Sequence, residues 1–265
     1  MLQEKLRKRI PAFGTHISLN DSVITELVGN LGFDYLWIDT EHTSIGLDRL
    51  QEHLIAARAA GVSAIVRVPW NDPVRVKPVL EMGPDGIVFP MVNSYEEALK
   101  AVRSCMYPPR GNRGFGPRRA IQFGLVPVDE YLATVDSMLL KLVQVEHIDA
   151  VRDLDRILTI PEIDAFILGP CDLAASMGKI GCWKDAEVEA TIGEIFRKVK
   201  AAGKSMGVSF GASNYDDVLR WRRLGADMIS LAADTDFILR GAQETLAQMR
   251  RAFGAGEPAG QGRDR

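Results

Sequence analysis

Two carboxylates, an arginine and a histidine stand where their chemistry is hard to explain by packing alone. Glu146 closes the apolar run LVQVE at 142–146, and Asp172 stands in the turn GPCDL at 169–173. Core packing calls for no carboxylate at the end of a strand buried on both faces. A pair of them on neighbouring strand ends could hold one divalent cation and leave other positions to water or substrate. Hard oxygen ligands with open positions suit Mg2+, Mn2+ or a similar ion better than a closed zinc site. The alternative for Asp172 is a helix cap, because it follows Gly169-Pro170 and precedes LAASMG.

His42 lies in DTEHT, flanked by Asp39 and Glu41, either of which could orient the imidazole or raise its basicity. Arg67 is set among Val66, Val68, Pro69 and Trp70, so its guanidinium needs an anionic partner, either a substrate oxygen or a carboxylate of the protein. The peptide N–H groups of the turn Gly169 to Asp172, all but that of Pro170, open a helix and offer a seat for a substrate carboxylate. Cation, arginine, NH cradle and histidine together suit a reaction that builds up an enolate beside a carboxylate. The cation and Arg67 would stabilise its oxygen and His42 would move the proton. A lysine Schiff base is disfavoured, since Lys141 lies early in its strand and no lysine occupies a strand end. His53 and His147 read as packing residues.

The elements that must bring these residues together follow from periodicity. Strand candidates fall at 12–18, 35–41, 63–69, 85–92, 139–146, 165–170, 205–210 and 228–234, alternating with amphipathic stretches such as SVITELVGNLG and SYEEALKAVRSC. Eight strand-helix units in about 250 residues favour an α/β fold of the closed (β/α)8 type, a TIM barrel, over an open doubly wound sheet. No Gly-rich dinucleotide loop follows the first strand. In such a barrel the active site lies at the carboxyl ends of the strands. His16, Asp39, Glu41, His42, Arg67, Gln144, Glu146 and Asp172 all fall there.

Residues 106–127 break the rhythm with four Pro, four Gly and four Arg, and read as a long functional loop whose Arg110, Arg113, Arg118 and Arg119 could add positive charge above the site. A single barrel domain is expected over 1–253, with a disordered, Gly-rich tail at 254–265.

The chain has 265 residues, 46% hydrophobic and 25% charged, with a formal charge of −3. No basic cluster is long enough to neutralise many phosphates, which argues against nucleic acid as a partner. No run of eighteen apolar residues and no signal peptide is present, so a soluble, cytoplasmic protein without a membrane partner is expected. Three widely spaced cysteines (Cys105, Cys171, Cys182) form neither a disulfide framework nor a zinc cluster.

Six ordered motifs carry a resemblance: DTEH, VRVPWNDP, VFPMV, YPPRGNRGFG, QVE and GPCDLAASMG. Over roughly residues 10 to 250 the chain resembles the HpcH/HpaI aldolase/citrate lyase family, metal-dependent pyruvate aldolases. The resemblance implies a barrel of the phosphoenolpyruvate/pyruvate superfamily type, a divalent cation (Mg2+, Mn2+ or Co2+), and reversible cleavage of a 4-hydroxy-2-oxo acid to pyruvate, or hydroxypyruvate, and an aldehyde. It implies metal ligands at Glu146 and Asp172, a catalytic histidine at His42 and a keto-oxygen arginine at Arg67. Gln144 matches a glutamine near the metal, and Gly169, Pro170, Cys171 and Asp172 match the carboxylate cradle. A homo-oligomer, hexamer or trimer, is implied as well.

Several positions depart from the family pattern. Glu81 stands for the aspartate that partners the histidine, Cys171 for a small residue, His147 for a threonine, and His16 for a bulky apolar residue. Two other readings share these residues: decarboxylation of an oxaloacetate-type 2-oxo acid through the same enolate, and a barrel that binds a 2-oxo acid without turnover.

Overall fold

In the computed structural model, which describes residues 2–209 and 215–254, the strands close into a parallel barrel in sequence order. The strands are β1 (Ala12–Ile17), β2 (Tyr35–Asp39), β3 (Ser63–Arg67), β4 (Gly86–Phe89), β5 (Leu140–Val145), β6 (Ala165–Leu168), β7 (Ser205–Val208) and β8 (Met228–Ala233). The helices are α1 (Leu2–Arg7), α2 (Val23–Gly29), α3 (Leu47–Ala59), α4 (Pro73–Glu81), α5 (Tyr95–Cys105), α6 (Val128–Met138), α7 (Ile148–Arg152), α8 (Leu154–Ile157), α9 (Pro170–Ser176), α10 (Ala186–Ala201), α11 (Tyr215–Leu224) and α12 (Asp234–Ala252). Each strand begins within a residue of its expected start and ends one to three residues early. For the expected strand at 205–210, Phe210 lies outside the described residues, as does the expected tail from 255 onward. No helix among the described residues is long and apolar enough to cross a membrane.

Two apolar clusters match the two faces of the barrel wall. The larger lies between strands and helices, with Ile17, Leu36, Val66, Phe166 and Ile192 among its fully buried members. The smaller fills the lumen with Tyr35, Trp37, Ile65, Leu142 and Ile167, and α1 inserts Leu2 and Leu6 into it from below. Alternation along a strand puts Ala12, Gly14 and His16 of β1 on the lumen face, with Tyr35, Trp37 and Asp39 of β2 beside them. Gly14 is required there, because a Cβ would sit 2.3 Å from the Tyr35 ring.

At the amino ends of the strands a motif recurs on every second strand. Asp34, Asp85, Asp164 and Asp227 each precede an even-numbered strand, and each carboxylate accepts a backbone N–H from the preceding odd-numbered strand: Phe13 at 2.9 Å, Ala64 at 2.7 Å, Lys141 at 2.8 Å and Met206 at 3.3 Å. In return, the backbone N–H of each aspartate donates to the same strand's carbonyl at 2.7–2.9 Å. These reciprocal pairs satisfy the first groups of each ladder, where the strand partner has run out.

Candidate active site

The carboxyl ends of the strands surround a cavity of about 370 Å³, whose lining includes His42, Arg67, Gln144 and the turn Gly169 to Asp172. Its floor is the last lumen-facing layer of side chains, and most of that layer is one hydrogen-bonded chain. Asp39 and Arg67 are Cα partners across β2 and β3, so their side chains emerge on the same face. The pair is bidentate, with Arg67 Nε donating to Asp39 Oδ1 at 2.9 Å and Nη2 to Oδ2 at 2.6 Å. Arg67 Nη1 pairs with Glu41 Oε2 at 3.0 Å and points a longer 3.4 Å contact at Gln144 Oε1. Gln144 Nε2 in turn donates to Glu146 Oε2 at 2.5 Å. A guanidinium carries five N–H groups, so one hydrogen on Nη2 remains without an acceptor among the described residues.

The pairing decides the charge states. Burial works against ionisation of Asp39, yet the two Arg67 hydrogen bonds outweigh it and hold this carboxyl below the usual carboxylate range. Arg67 is likewise held charged, its burial outweighed by Asp39 and Glu41. Glu146 differs. Burial pushes its carboxyl up to about 7, and the charges of Asp172 and Glu41 push the same way against the N–H of Met91, which donates to Oε1 at 2.7 Å. Met91 adopts φ 50°, in the left-handed region a side chain rarely occupies, and so aims its N–H at this carboxylate. Glu41 is raised for the same reasons, burial first, opposed by Arg67 and His42.

Asp172 is exposed in the first turn of α9, whose N-cap is Gly169 with no side-chain cap. It accepts no hydrogen bond and joins no ion pair among the described residues, so it does not cap the helix. Gly169 has a steric role: a Cβ there would lie 2.5 Å from Glu146 Oε2. The glycine leaves room for the carboxylate to reach the rim.

The model of the HpcH/HpaI aldolase/citrate lyase family matches residues 13–240. The chain belongs to the HpcH/HpaI aldolase/citrate lyase family. Among family relatives, it is 34% identical over 247 residues, 92% of this chain and 91% of the other, to a 4-hydroxy-2-oxo-heptane-1,7-dioate aldolase of Shigella sonnei. It is 32% identical over 241 residues, 90% and 93%, to a hydroxypyruvate/pyruvate aldolase of Roseobacter denitrificans. A family protein of solved structure from Burkholderia cenocepacia superposes with a TM-score of 0.89 at 31% identity, covering 94% of this chain and 98% of that one.

The family implies a divalent cation, and the donor set here fits one. No group of three or more His, Cys, Asp and Glu side chains that could hold a metal occurs among the described residues. Glu146 and Asp172, however, come from neighbouring strand ends, offer hard oxygen donors, and the charge of Asp172 opposes ionisation of the buried Glu146. A buried carboxylate without a countercharge is costly. A hard cation taking these two ligands and completing its shell with water or substrate would relieve that cost.

Two expectations need correction. Glu81 does not meet His42 within one chain. It ends α4, which runs back from β3 to the amino rim, and pairs there with Arg113 at 3.2 Å. His42, exposed at the cavity mouth, has Glu41 Oε2 at 3.6 Å from its Nε2 instead. The loop arginines do not lie above the site either, because α5 carries the chain to the amino rim before the loop begins. There Arg113 donates to Tyr131 Oη at 2.8 Å, Arg119 to the carbonyls of Met82 and Leu54, and Arg110 pairs with Asp136 at 2.9 Å. Of the two carboxylates flanking His42, Glu41 is the one near the imidazole, while Asp39 clamps Arg67.

His147 caps α7, its Nδ1 accepting the Asp149 N–H at 3.2 Å, and His53 is buried against Thr25. Asp234 went unnoticed in the sequence. It is fully buried, and its carboxylate accepts the N–H groups of Ser18 and Leu19, both at 2.9 Å, tying the end of β1 to β8.

Proposed function

We propose that the chain is a class II aldolase, a carbon-carbon lyase cleaving a 4-hydroxy-2-oxo acid to pyruvate or hydroxypyruvate and an aldehyde. The observation that carries this reading is one cavity lined by Asp172, Gln144 and a clamped arginine with an N–H to spare, with the buried carboxylate of Glu146 hydrogen-bonded to Gln144 just beneath it. A divalent cation (Mg2+, Mn2+ or Co2+) held by Glu146 and Asp172 would act as a Lewis acid on the 2-oxo group.

Arg67 donates its uncommitted N–H to the keto oxygen and stabilises the negative charge that builds there. The Asp39 clamp fixes the guanidinium before the charge develops, so little reorganisation is needed. Gln144 bridges Arg67 and Glu146 and keeps both in register. The backbone around Gly169, Pro170, Cys171 and Asp172 receives the substrate carboxylate. His42, exposed at the mouth, takes the proton from the 4-hydroxyl. The C3–C4 bond then breaks, its electrons pass into the enolate, the aldehyde leaves, and carbon three regains a proton. In the reverse direction His42 returns the proton to the new alkoxide.

The chain is a single barrel domain over 1–253 and works in the cytoplasm as a homo-oligomer, a hexamer or trimer. Exposed apolar side chains on α2 (Val23, Leu27) and α12 (Ile238, Leu239, Leu246) support self-association. The test is pyruvate release from a panel of 4-hydroxy-2-oxo acids and oxaloacetate by metal-stripped protein, with and without each cation. Cation-dependent cleavage of the hydroxy acids is expected. Release from oxaloacetate alone would make the enzyme a decarboxylase, and tight cation binding without turnover would make it a binding protein.

A further inference from the structure

His16 is a floor residue that the mechanism above does not use. It is the last lumen-facing residue of β1 and lines the cavity, yet it stands outside the chain that joins Asp39, Arg67, Gln144 and Glu146. Its ring lies 5.0 Å from that of Trp37, and Arg67 sits over the same indole at 5.6 Å, so the imidazole is packed at a fixed depth beside the guanidinium.

The backbone beside it is also specialised. Ala232 adopts φ 56°, and the β1–β8 register shifts between Gly14 and His16. Such an irregularity re-aims side chains and backbone groups next to a site. The carbonyl of Ala232 accepts Thr15 Oγ1 at 3.0 Å, which fixes the backbone beside His16.

The protonation state follows from burial first and the Arg67 charge second, which together hold the imidazole down to about 4. At neutral pH it is uncharged, with one N–H and one lone pair. The bare nitrogen of the neutral ring can accept one hydrogen bond from a ligand in the cavity. An acceptor in a half-buried pocket selects for a donor, and a ligand that places a methyl group there leaves it unpaired.

Eight-fold closure decides which part of a substrate meets it. In the proposed function the keto oxygen meets Arg67 on β3 and the substrate carboxylate meets the turn after β6, which leaves the wall of β8 and β1, adjacent in the closed barrel, for carbon three. We propose that His16 accepts a hydrogen bond from a hydroxyl on carbon three, making the preferred nucleophilic partner a 3-hydroxy-2-oxo acid such as hydroxypyruvate rather than pyruvate. The inference rests on the aldolase reading and adds the class of donor to it. No bond changes at His16, which is a specificity-determining residue.

The test compares hydroxypyruvate and pyruvate as donors to one common aldehyde, in cation-loaded wild type, His16→Phe and His16→Gln. Exchange of the carbon-three hydrogens with deuterium is followed alongside, without aldehyde. Wild type is expected to favour hydroxypyruvate in kcat/KM by about tenfold or more. His16→Phe is expected to lose that preference with pyruvate turnover retained, which also shows that the variant is folded. His16→Gln, which keeps an acceptor, is expected to restore most of it. Equal preference in wild type and His16→Phe overturns the inference and leaves the aldolase reading standing. So does an effect of His16→Phe that follows a hydroxyl on the aldehyde instead of the donor. Neither aldol product nor exchange with either donor in wild type overturns the aldolase reading and this inference together.

Discussion

The two rims of this barrel are built from the same residue types and use them in opposite ways. At the amino rim most carboxylates meet a cation, Asp34 with Lys5 at 2.5 Å, Asp227 with Arg9 at 3.3 Å and Glu81 with Arg113 at 3.2 Å, while the aspartates, including Asp85 with its single Ala64 N–H, also close strand ladders. At the carboxyl rim, Glu41 pairs with Arg67, but no ion pair among the described residues reaches Glu146 or Asp172, and Glu146 is held by the N–H groups of Gln144 and Met91. The amino rim gains stability from its carboxylates, whereas the carboxyl rim spends some to keep two of them available. The difference locates function by its energetics.

Exchanging the roles of the two rims is the largest perturbation available. Glu146→Gln removes the uncompensated charge and one proposed cation ligand, so cleavage is expected to fall by about a thousandfold. The same variant is expected to make the metal-free protein more stable at neutral pH, by up to about 3 kcal/mol, because the buried carboxylate no longer has to ionise. Activity assays and denaturant titration of one preparation check both. A variant that loses activity and stability together would mean that Glu146 is a structural residue like those of the opposite rim.

A smaller effect is expected at Gly169, where only the shape of the rim changes. In Gly169→Ala the new methyl meets Glu146 Oε2 at 2.5 Å and must displace the carboxylate or the turn. Cation affinity is expected to fall by about ten- to a hundredfold, the range typical when a ligand's support is disturbed. Calorimetric titration with Mn2+ measures it. Unchanged affinity would mean that the carboxylate does not need its present position to bind.

At the amino rim the expected loss is of stability alone. Asp227 is 5% exposed and serves Met206 and Arg9, so Asp227→Ala leaves a buried backbone N–H unpaired and takes the carboxylate from Arg9, which keeps its bond to the Lys204 carbonyl. The expected cost is about 1–3 kcal/mol, read by denaturant titration, with kcat/KM of the folded fraction unchanged. A variant of normal stability and reduced turnover would erase the distinction between the rims.

What the sequence disclosed follows the same division. Strand starts were legible because turn residues and apolar runs mark them sharply. Strand ends overran because segments such as Pro90-Met91-Val92 stay apolar after leaving the ladder to build the rim. Glu146, Asp172, Arg67 and Gln144 were legible as site candidates because polar residues ending apolar strands stand out. The partner of Asp39 was not, since it depends on the register that sets Asp39 opposite Arg67. Nor was the rim of the long loop, which turns on α5 crossing the molecule before the loop begins. The aspartates before β2, β4, β6 and β8 were readable in principle, each a lone Asp directly ahead of an apolar run. Their meaning appears only when neighbouring strands are paired.

The smallest expected effect is also the most direct probe of the uncompensated charge. Glu146 holds its proton up to about 7 in the folded chain, while an unfolded glutamate ionises near ~4.3. Between those values the folded state binds a proton that the unfolded state has lost, so metal-free stability falls as pH rises through the window. A cation needs the ionised carboxylate and reverses the trend, with apparent affinity gaining about tenfold per pH unit below 7. Thermal midpoints with and without Mg2+ or Mn2+ are therefore expected to differ little at about pH 5.5 and by several degrees at about pH 8. In Glu146→Gln this pH dependence should flatten. An equal cation shift at both values would show that no proton leaves Glu146 on binding, and that its charge is balanced at this rim after all.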